Sequence, residues 1–149
     1  MKLVLEPIVE SEFEDLFVRI KEGIFPYVDA VFGWEDAFQR QRLENEYQLD
    51  WFYWVKVEKD RVGVLCYKRH NASCHVHWLI VFPEWWQRNI GTSIMAFVQK
   101  KARENGCTAV TLSSFKCNAN AIQFYQGLGY VIIEEEEDFV SMFLSLAAS

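Results

Sequence analysis

CHVHWLIVFPEWWQRNIGT, residues 74–92, passes from an apolar run through a proline into a loop that carries one glycine. The apolar run predicts a buried strand from Cys74 to Phe82. From Ile90 onward, apolar residues recur at the spacing of a helix. A short strand, Ala109 to Ser114, comes next. This part of the chain therefore predicts two parallel strands joined by a right-handed helical crossover.

The loop between this strand and this helix is a candidate site for a phosphate group. A helix N-terminus has unpaired N–H groups and a partial positive charge, which together attract anions. Gly91 allows a phosphate to approach the backbone closely, and Gln87 and Arg88 add side-chain donors. On physical grounds alone, a plain structural connection between strand and helix is the favoured reading, because a strand followed by one glycine and a helix is common.

The remaining elements predict a sheet that is otherwise antiparallel, in the overall order β-α-α-β-β-β-α-β-α-β-β. The first helix is expected to end near Gly23, because Pro26 follows it. The other expected helices start around Trp34–Asp36 and at Ala119. The strands expected outside the crossover are Lys2–Ile8, Trp51–Val57, Arg61–Tyr67, Tyr130–Glu135 and Phe139–Leu146, and Arg69–Ser73 is expected to be a polar connection. The predicted fold class is mixed α/β.

Composition and net charge limit the functions that the chain can have. The chain has 149 residues, 51% of them hydrophobic and 16% aromatic, which is enough for one domain with a packed core. Its net charge of −6 argues against nonspecific nucleic-acid binding and favours a cationic partner. No run approaches the roughly 18 apolar residues of a membrane span. The acidic N-terminus and four cysteines without a C-x-x-C pair favour a cytoplasmic protein without a secretory signal.

A second motif lies one strand after the loop. NANAIQFYQGLGY, residues 118–130, has the pattern N-x-x-A-x-x-x-Y-x-x-x-G-[FY]. Together with the V-x-P-E strand end, the glycine loop and the helix, it closely resembles the GNAT superfamily of acyl-CoA N-acyltransferases. The resemblance is strong over residues 74–133. In the rest of the chain it lies in the order of the predicted helices and strands. It implies a single GNAT domain over residues 1–149, with a mostly antiparallel twisted sheet, one splayed parallel strand pair and about four helices.

The resemblance also implies an activity. A GNAT enzyme moves an acetyl group from acetyl-CoA to a primary amine by direct attack in a ternary complex. The strand before the loop would bind the pantetheine arm through its main chain, and the loop would bind the pyrophosphate. The implied cofactor-binding residues are Leu79, Ile80, Val81, Gln87, Arg88, Asn89, Ile90, Gly91, Thr92, Asn118 and Tyr125. Asn118 would bind pantetheine or cap its helix, and capping alone explains it.

The loop departs from the family pattern [QR]-x-x-G-x-[GA]. Aligned without a gap, Trp86 stands where Gln or Arg is usual, and Asn89 replaces a glycine. Asn is the next-best residue for a left-handed backbone, so the loop is expected to close in spite of this replacement. A shift of one residue would instead put Gln87 in the first position and displace the glycine.

Two residues are implied as catalytic. Tyr125 matches the family tyrosine that protonates the departing thiolate, and a phenol is a suitable donor. His77 is the preferred base for the amine, because it lies two residues after His75 on the same face and closer to the acetyl end. Polar surface is the plainer role for both histidines. No third ligand accompanies them in the sequence, so no metal is expected.

The N-terminal helices form the acceptor side in this family. The run VFGWEDAFQ resembles a GNAT subgroup whose helix starts with G-W-[DE]-[DE]. This likeness implies Tyr27, Asp29, Trp34 and Glu35 as substrate residues, with acids that receive a cation. A non-catalytic CoA-binding or sensor protein with an altered loop is the alternative function. A plain interaction domain and a homodimer are also left open.

Overall fold

The computed structural model describes residues 2–146, which form seven strands and four α-helices. The strands are β1 (Leu3–Pro7), β2 (Phe52–Val57), β3 (Asp60–His70), β4 (Ser73–Val81), β5 (Ala109–Phe115), β6 (Val131–Glu135) and β7 (Phe139–Ser145). The helices are α1 (Phe13–Val31), α2 (Asp36–Glu46), α3 (Ile90–Glu104) and α4 (Ala119–Gly127). Within these residues the strands form one sheet in the order β1-β2-β3-β4-β5-β7-β6.

The described chain divides into two compact units. The first contains residues up to Cys66 together with Trp78–Gly91, and the second contains Tyr67–His77 together with the residues from Thr92 onward. In the first unit, β1 pairs antiparallel with β2, and β2 pairs antiparallel with β3. Its core includes apolar side chains of α1, α2, β2 and β3, among them Leu16, Val28, Leu43, Trp54 and Leu65.

The second unit contains the parallel strand pair that the sequence predicts. The ladder between β4 and β5 runs from Ser73–Ala109 to Val76–Leu112, and β4 continues beyond it to Val81. Strand β5 pairs antiparallel with β7, and β7 pairs antiparallel with β6. Buried side chains of α3 such as Ile94 and Val98 recur at helical spacing, as expected for a crossover helix that packs on a sheet. The mixed α/β class is therefore confirmed.

Two expected boundaries are wrong. Helix α1 does not end near Gly23 but continues through Pro26 to Val31. Ile24 and Val28 extend its buried face, and the burial of these apolar side chains outweighs the one hydrogen bond that proline removes. The expected polar connection at residues 69–73 is also shorter, because Arg69 and His70 belong to β3 and Ser73 begins β4. None of the helices in the described part of the chain has the length and apolar character that a membrane span requires.

Candidate active site

The loop between β4 and α3 has an unusual backbone conformation. After a short 3-10 turn at Pro83–Trp85, Gln87 has φ +64° and Asn89 has φ +59°, both in the left-handed region. Asn89 thus takes the conformation that the sequence predicts for it. Arg88 lies between the two and is not among the positive-φ residues, so the sign of φ alternates along the loop. Alternation of this kind turns successive N–H groups toward one concavity, which is a geometry that binds anions.

The first turn of α3 adds further donors to this loop. The helix begins at Ile90, and Gly91 and Thr92 follow in its first turn. The N–H groups of a first helical turn have no partner within the helix, and the helix dipole makes them attractive to an anion. The Arg88 guanidinium lies 4.9 Å from the centroid of the Trp85 ring, which holds this cation beside the loop.

Contacts within the first unit hold the start of the loop in place. Arg19 of α1 binds Glu84 through two hydrogen bonds of 3.2 and 3.1 Å, and its guanidinium lies 3.7 Å from the centroid of the Phe82 ring. The same guanidinium holds the pKa of Glu84 below its usual value. The indole N–H of Trp86 donates to the Val81 carbonyl at 2.8 Å. Sequence reasoning missed Arg19, because nothing in a helix of mixed polarity marks one arginine as the partner of a distant glutamate.

The backbone of β4 presents different residues at its two edges. The Phe82 N–H donates to Val62 O at 2.9 Å, which directs the main-chain groups of Phe82 and Ile80 toward β3. Because alternate residues in a strand direct these groups to opposite edges, Leu79 and Val81 present theirs on the edge away from β3. Of the three predicted main-chain ligands in this strand, Leu79 and Val81 therefore lie on that edge, and Ile80 does not.

Asn118 and Tyr125 lie in the second unit. The Asn118 side chain accepts a hydrogen bond from Ala121 N at 3.2 Å and so caps α4. Tyr125 is buried, with its ring centroid 5.7 Å from that of Tyr130 in an edge-to-face arrangement. Burial raises the pKa of Tyr125, so its phenol keeps its proton at neutral pH. The Tyr130 hydroxyl is also buried and has no hydrogen-bond partner among residues 2–146.

The two histidines of β4 form a close pair in the second unit. Their ring centroids are 4.7 Å apart, and His75 Nδ1 lies 2.8 Å from Thr111 Oγ1 on β5. Burial, His75 and Lys68 lower the pKa of His77 from 6.5 to about 4. His77 is therefore neutral at pH 7, in the form that can accept a proton. Among the described residues, no group of three or more His, Cys, Asp or Glu side chains is arranged to hold a metal ion.

The predicted substrate residues occupy the turn between α1 and α2. Asp29 Oδ1 accepts the Trp34 N–H at 3.0 Å, and the Trp34 indole donates to Asp36, which also pairs with Lys21 at 2.8 Å. The carboxylates of Asp29 and Asp36 thus stabilise this turn. Glu35 is exposed at the N-cap position of α2, and Tyr27 is half-buried in α1.

An aromatic cavity of about 10 Å³, with room for about one water molecule, lies beside this turn in the first unit. Its walls come from α1, α2, β4 and the segments that follow the two helices. The lining residues are Phe17, Ile20, Ile24, Trp34, Gln39, Arg42, Leu43, Tyr47 and Trp78. Within this unit the structure thus brings Trp34 together with Tyr47 and Trp78, which the sequence does not mark as site residues.

Comparison with known proteins places these features in a family. Residues 14–130 match the family described as "Acetyltransferase (GNAT) family". The uncharacterized protein YdhI of Bacillus subtilis (strain 168) is 31% identical over 83 residues, which are 56% of this chain and 51% of that protein. The chain thus spans about half the length of this curated relative.

Solved structures share the fold. The PaiA N-acetyltransferase from Thermoplasma acidophilum, in complex with coenzyme A, superposes with a TM-score of 0.77 at 13% identity, over 97% of this chain and 99% of that chain. The ribosomal-protein-S18-alanine N-acetyltransferase from Escherichia coli superposes with a TM-score of 0.71 at 12% identity, over 99% and 96% of the two chains. At such low identity these structures show the fold alone.

Proposed function

The chain belongs to the GNAT acetyltransferase family, and from that premise we propose that it transfers an acetyl group from acetyl-CoA to a primary amine of a small molecule or peptide. In this proposal residues 1–149 act as one acetyltransferase domain, and the amine attacks directly in a ternary complex. The observation that carries the proposal is the loop before α3, where left-handed Gln87 and Asn89 flank Arg88. A coenzyme pyrophosphate requires such a cluster of backbone N–H donors and one cation.

The edge of β4 supports binding of the rest of the donor. The pantetheine arm carries two amide groups, and amides pair with the exposed main chain of a strand as another strand would. Leu79 and Val81 would bind the arm in this way, and the Leu79 N–H would polarise the acetyl carbonyl during attack. The PaiA structure, which has this fold, contains coenzyme A.

The chemistry requires one proton to leave the amine and one to reach the sulfur. The neutral amine nitrogen forms a bond to the acetyl carbon, and the carbon–sulfur bond breaks as the tetrahedral intermediate collapses. His77, neutral at pH 7, would accept the amine proton directly or through water. Tyr125, protonated at pH 7, would donate a proton to the departing thiolate. The products are the acetylated amine and CoA.

A non-catalytic CoA-binding protein is the second candidate function. The observation that favours it is Trp86, which takes the family's Gln or Arg position and donates its indole N–H to the main chain. A residue used in this way offers no side-chain donor to a pyrophosphate. Binding without turnover would support this alternative.

Ligand binding is the first test of the proposed function. Acetyl-CoA and CoA are each expected to raise the melting temperature of the protein by several degrees, because a ligand that binds only the folded state stabilises it. ATP, which lacks the pantetheine arm, is expected to raise it less. No shift with either CoA species would contradict both candidate functions. Release of free thiol across a panel of amines then separates an enzyme from a sensor.

A matched pair of variants tests the proposed acid. Tyr125→Phe is expected to lower kcat by about 10- to 100-fold with little change in CoA affinity, because it removes only the proton donor. Tyr130→Phe is the control, since it removes a neighbouring buried hydroxyl that is given no role in the reaction. Equal rates in wild type and Tyr125→Phe, or equal losses in both variants, would remove Tyr125 from the mechanism.

A further inference from the structure

The Val81 carbonyl already has a partner in the free protein. The indole N–H of Trp86 donates to it at 2.8 Å. Val81 directs this carbonyl to the edge of β4 away from β3, as the Phe82–Val62 hydrogen bond on the opposite edge establishes. The same edge is the one that the proposed function gives to the pantetheine arm.

The hydrogen bond from Trp86 is not needed to shape the loop. The Trp86 backbone N–H donates to Pro83 O at 3.2 Å, and Trp85 N–H donates to Phe82 O at 2.8 Å, which fixes the turn. Glu84 is held separately by Arg19. The main chain therefore keeps its path when the Trp86 side chain rotates away.

The Trp86 side chain is also poorly packed. The residue is 61% exposed, although a tryptophan normally buries most of its large apolar surface. With so little packing, the hydrogen bond to Val81 accounts for much of what holds the indole in place. One exposed hydrogen bond contributes little net free energy, so a competing donor can replace it.

We propose that Trp86 is a latch on the strand edge that binds the pantetheine arm. In the free protein its indole N–H occupies the Val81 carbonyl, and an amide N–H of the arm displaces it when the donor binds. The inference rests on the proposed function, and it makes Trp86 a positioning residue that sets affinity for ligands with an amide-bearing arm. Ligands that lack the arm bind without displacing the indole.

Two ligands and two variants test the latch. Trp86→Phe keeps an aromatic ring but removes the N–H, so it is expected to bind CoA about two- to tenfold more tightly, as for loss of one competing hydrogen bond. Its affinity for 3′-phospho-ADP, the nucleotide portion of CoA without the arm, is expected to stay unchanged. Trp51→Phe, a tryptophan outside the loop, is the matched control, and its CoA affinity is expected to stay unchanged. Calorimetric titration measures all six dissociation constants, with wild type included.

The possible results are distinct. Unchanged or weaker CoA binding by Trp86→Phe overturns the latch while leaving the proposed function in place. Weaker binding of both ligands shows instead that Trp86 supports the phosphate loop. If wild-type protein binds no CoA, the proposed function and the latch both fail. The latch is also tested in the wild type, whose Trp86 indole NMR signal is expected to shift with CoA and stay in place with 3′-phospho-ADP.

Discussion

At the level of single residues, His77 combines burial with basic neighbours. Burial, together with smaller contributions from His75 and Lys68, lowers its pKa to about 4. A histidine with so low a pKa is a weak base, so its protonated form is short-lived at neutral pH. In the proposed reaction His77 therefore passes the amine proton on to water, and its neutral form is present throughout the physiological pH range.

The lowered pKa predicts how stability responds to acid. The unfolded chain binds a proton at His77 near pH 6.5, whereas the folded chain does so only near pH 4. The stabilising contribution of the neutral His77 ring to the free energy of unfolding is thus complete above pH 6.5. It is lost as the pH falls toward 4. In His77→Gln the melting temperature is expected to fall less steeply over this range than in wild type. An identical dependence of melting temperature on pH in wild type and His77→Gln would contradict the lowered pKa. The control is His70→Gln, which changes an exposed histidine.

Among the secondary-structure elements, the end of β4 depends on a close approach by β3. A Cβ atom on Gly63 would overlap the Ile80 carbonyl oxygen, which belongs to the main chain of β4. On the other side, a Cβ on Gly23 of α1 would lie 2.8 Å from Ile80 Cγ2, which is a side-chain atom. A Cβ at Gly63 would thus meet the main chain of Ile80, whereas a Cβ at Gly23 would meet the Ile80 side chain.

This difference predicts unequal effects of the same substitution. Gly63→Ala is expected to lower the free energy of unfolding by about 1–3 kcal/mol, because main chain cannot move aside as a side chain can. It is also expected to weaken CoA binding, since it displaces the strand that carries Leu79 and Val81. Gly23→Ala is expected to cost less, because Ile80 can shift and alanine favours the helix. Urea unfolding measures both variants, and equal stability of all three proteins would contradict the close approach.

The elements differ in how far the sequence alone predicts them. The crossover from β4 through α3 to β5 follows from residues 74–114, because period, proline and glycine signals agree there. The sequence predicts helix α1 too short, since Gly23 and Pro26 are local signals for a helix end, whereas the packing of Val28 depends on tertiary contacts. Signals in neighbouring residues do not report contacts between segments that lie far apart in the sequence.

The candidate site is likewise predictable from the sequence only in part. The left-handed Asn89 was predictable, because it depends on the residue type and on the turn that the loop must make. The left-handed Gln87 and the hydrogen bond from Trp86 to Val81 were not, since they depend on the path of the whole loop. The aromatic cavity was found only in part, because Tyr47 and Trp78 reach it from segments remote in sequence from Trp34.

For the molecule as a whole, 21 acidic and 15 basic side chains give a net charge of −6. Such a field attracts cations and repels anions at distances beyond direct contact. Acetyl-CoA is anionic and most primary amines are cationic at pH 7. The field of the protein therefore repels the proposed donor and attracts the proposed acceptor. The local donors of the loop before α3 must then bind the anion against the charge of the whole protein.

Salt screens this field, and the two substrates are expected to respond oppositely. Between about 0.1 and 1 M salt the Debye length falls from about 10 to about 3 Å. The KM for a polyamine acceptor is expected to rise about two- to fivefold, whereas the KM for acetyl-CoA stays constant or falls. Glu136→Gln with Glu137→Gln, in the acidic turn between β6 and β7, removes two charges and is expected to flatten the response. A KM for the polyamine that does not depend on salt would mean that contacts at the site, rather than the field of the protein, select the acceptor.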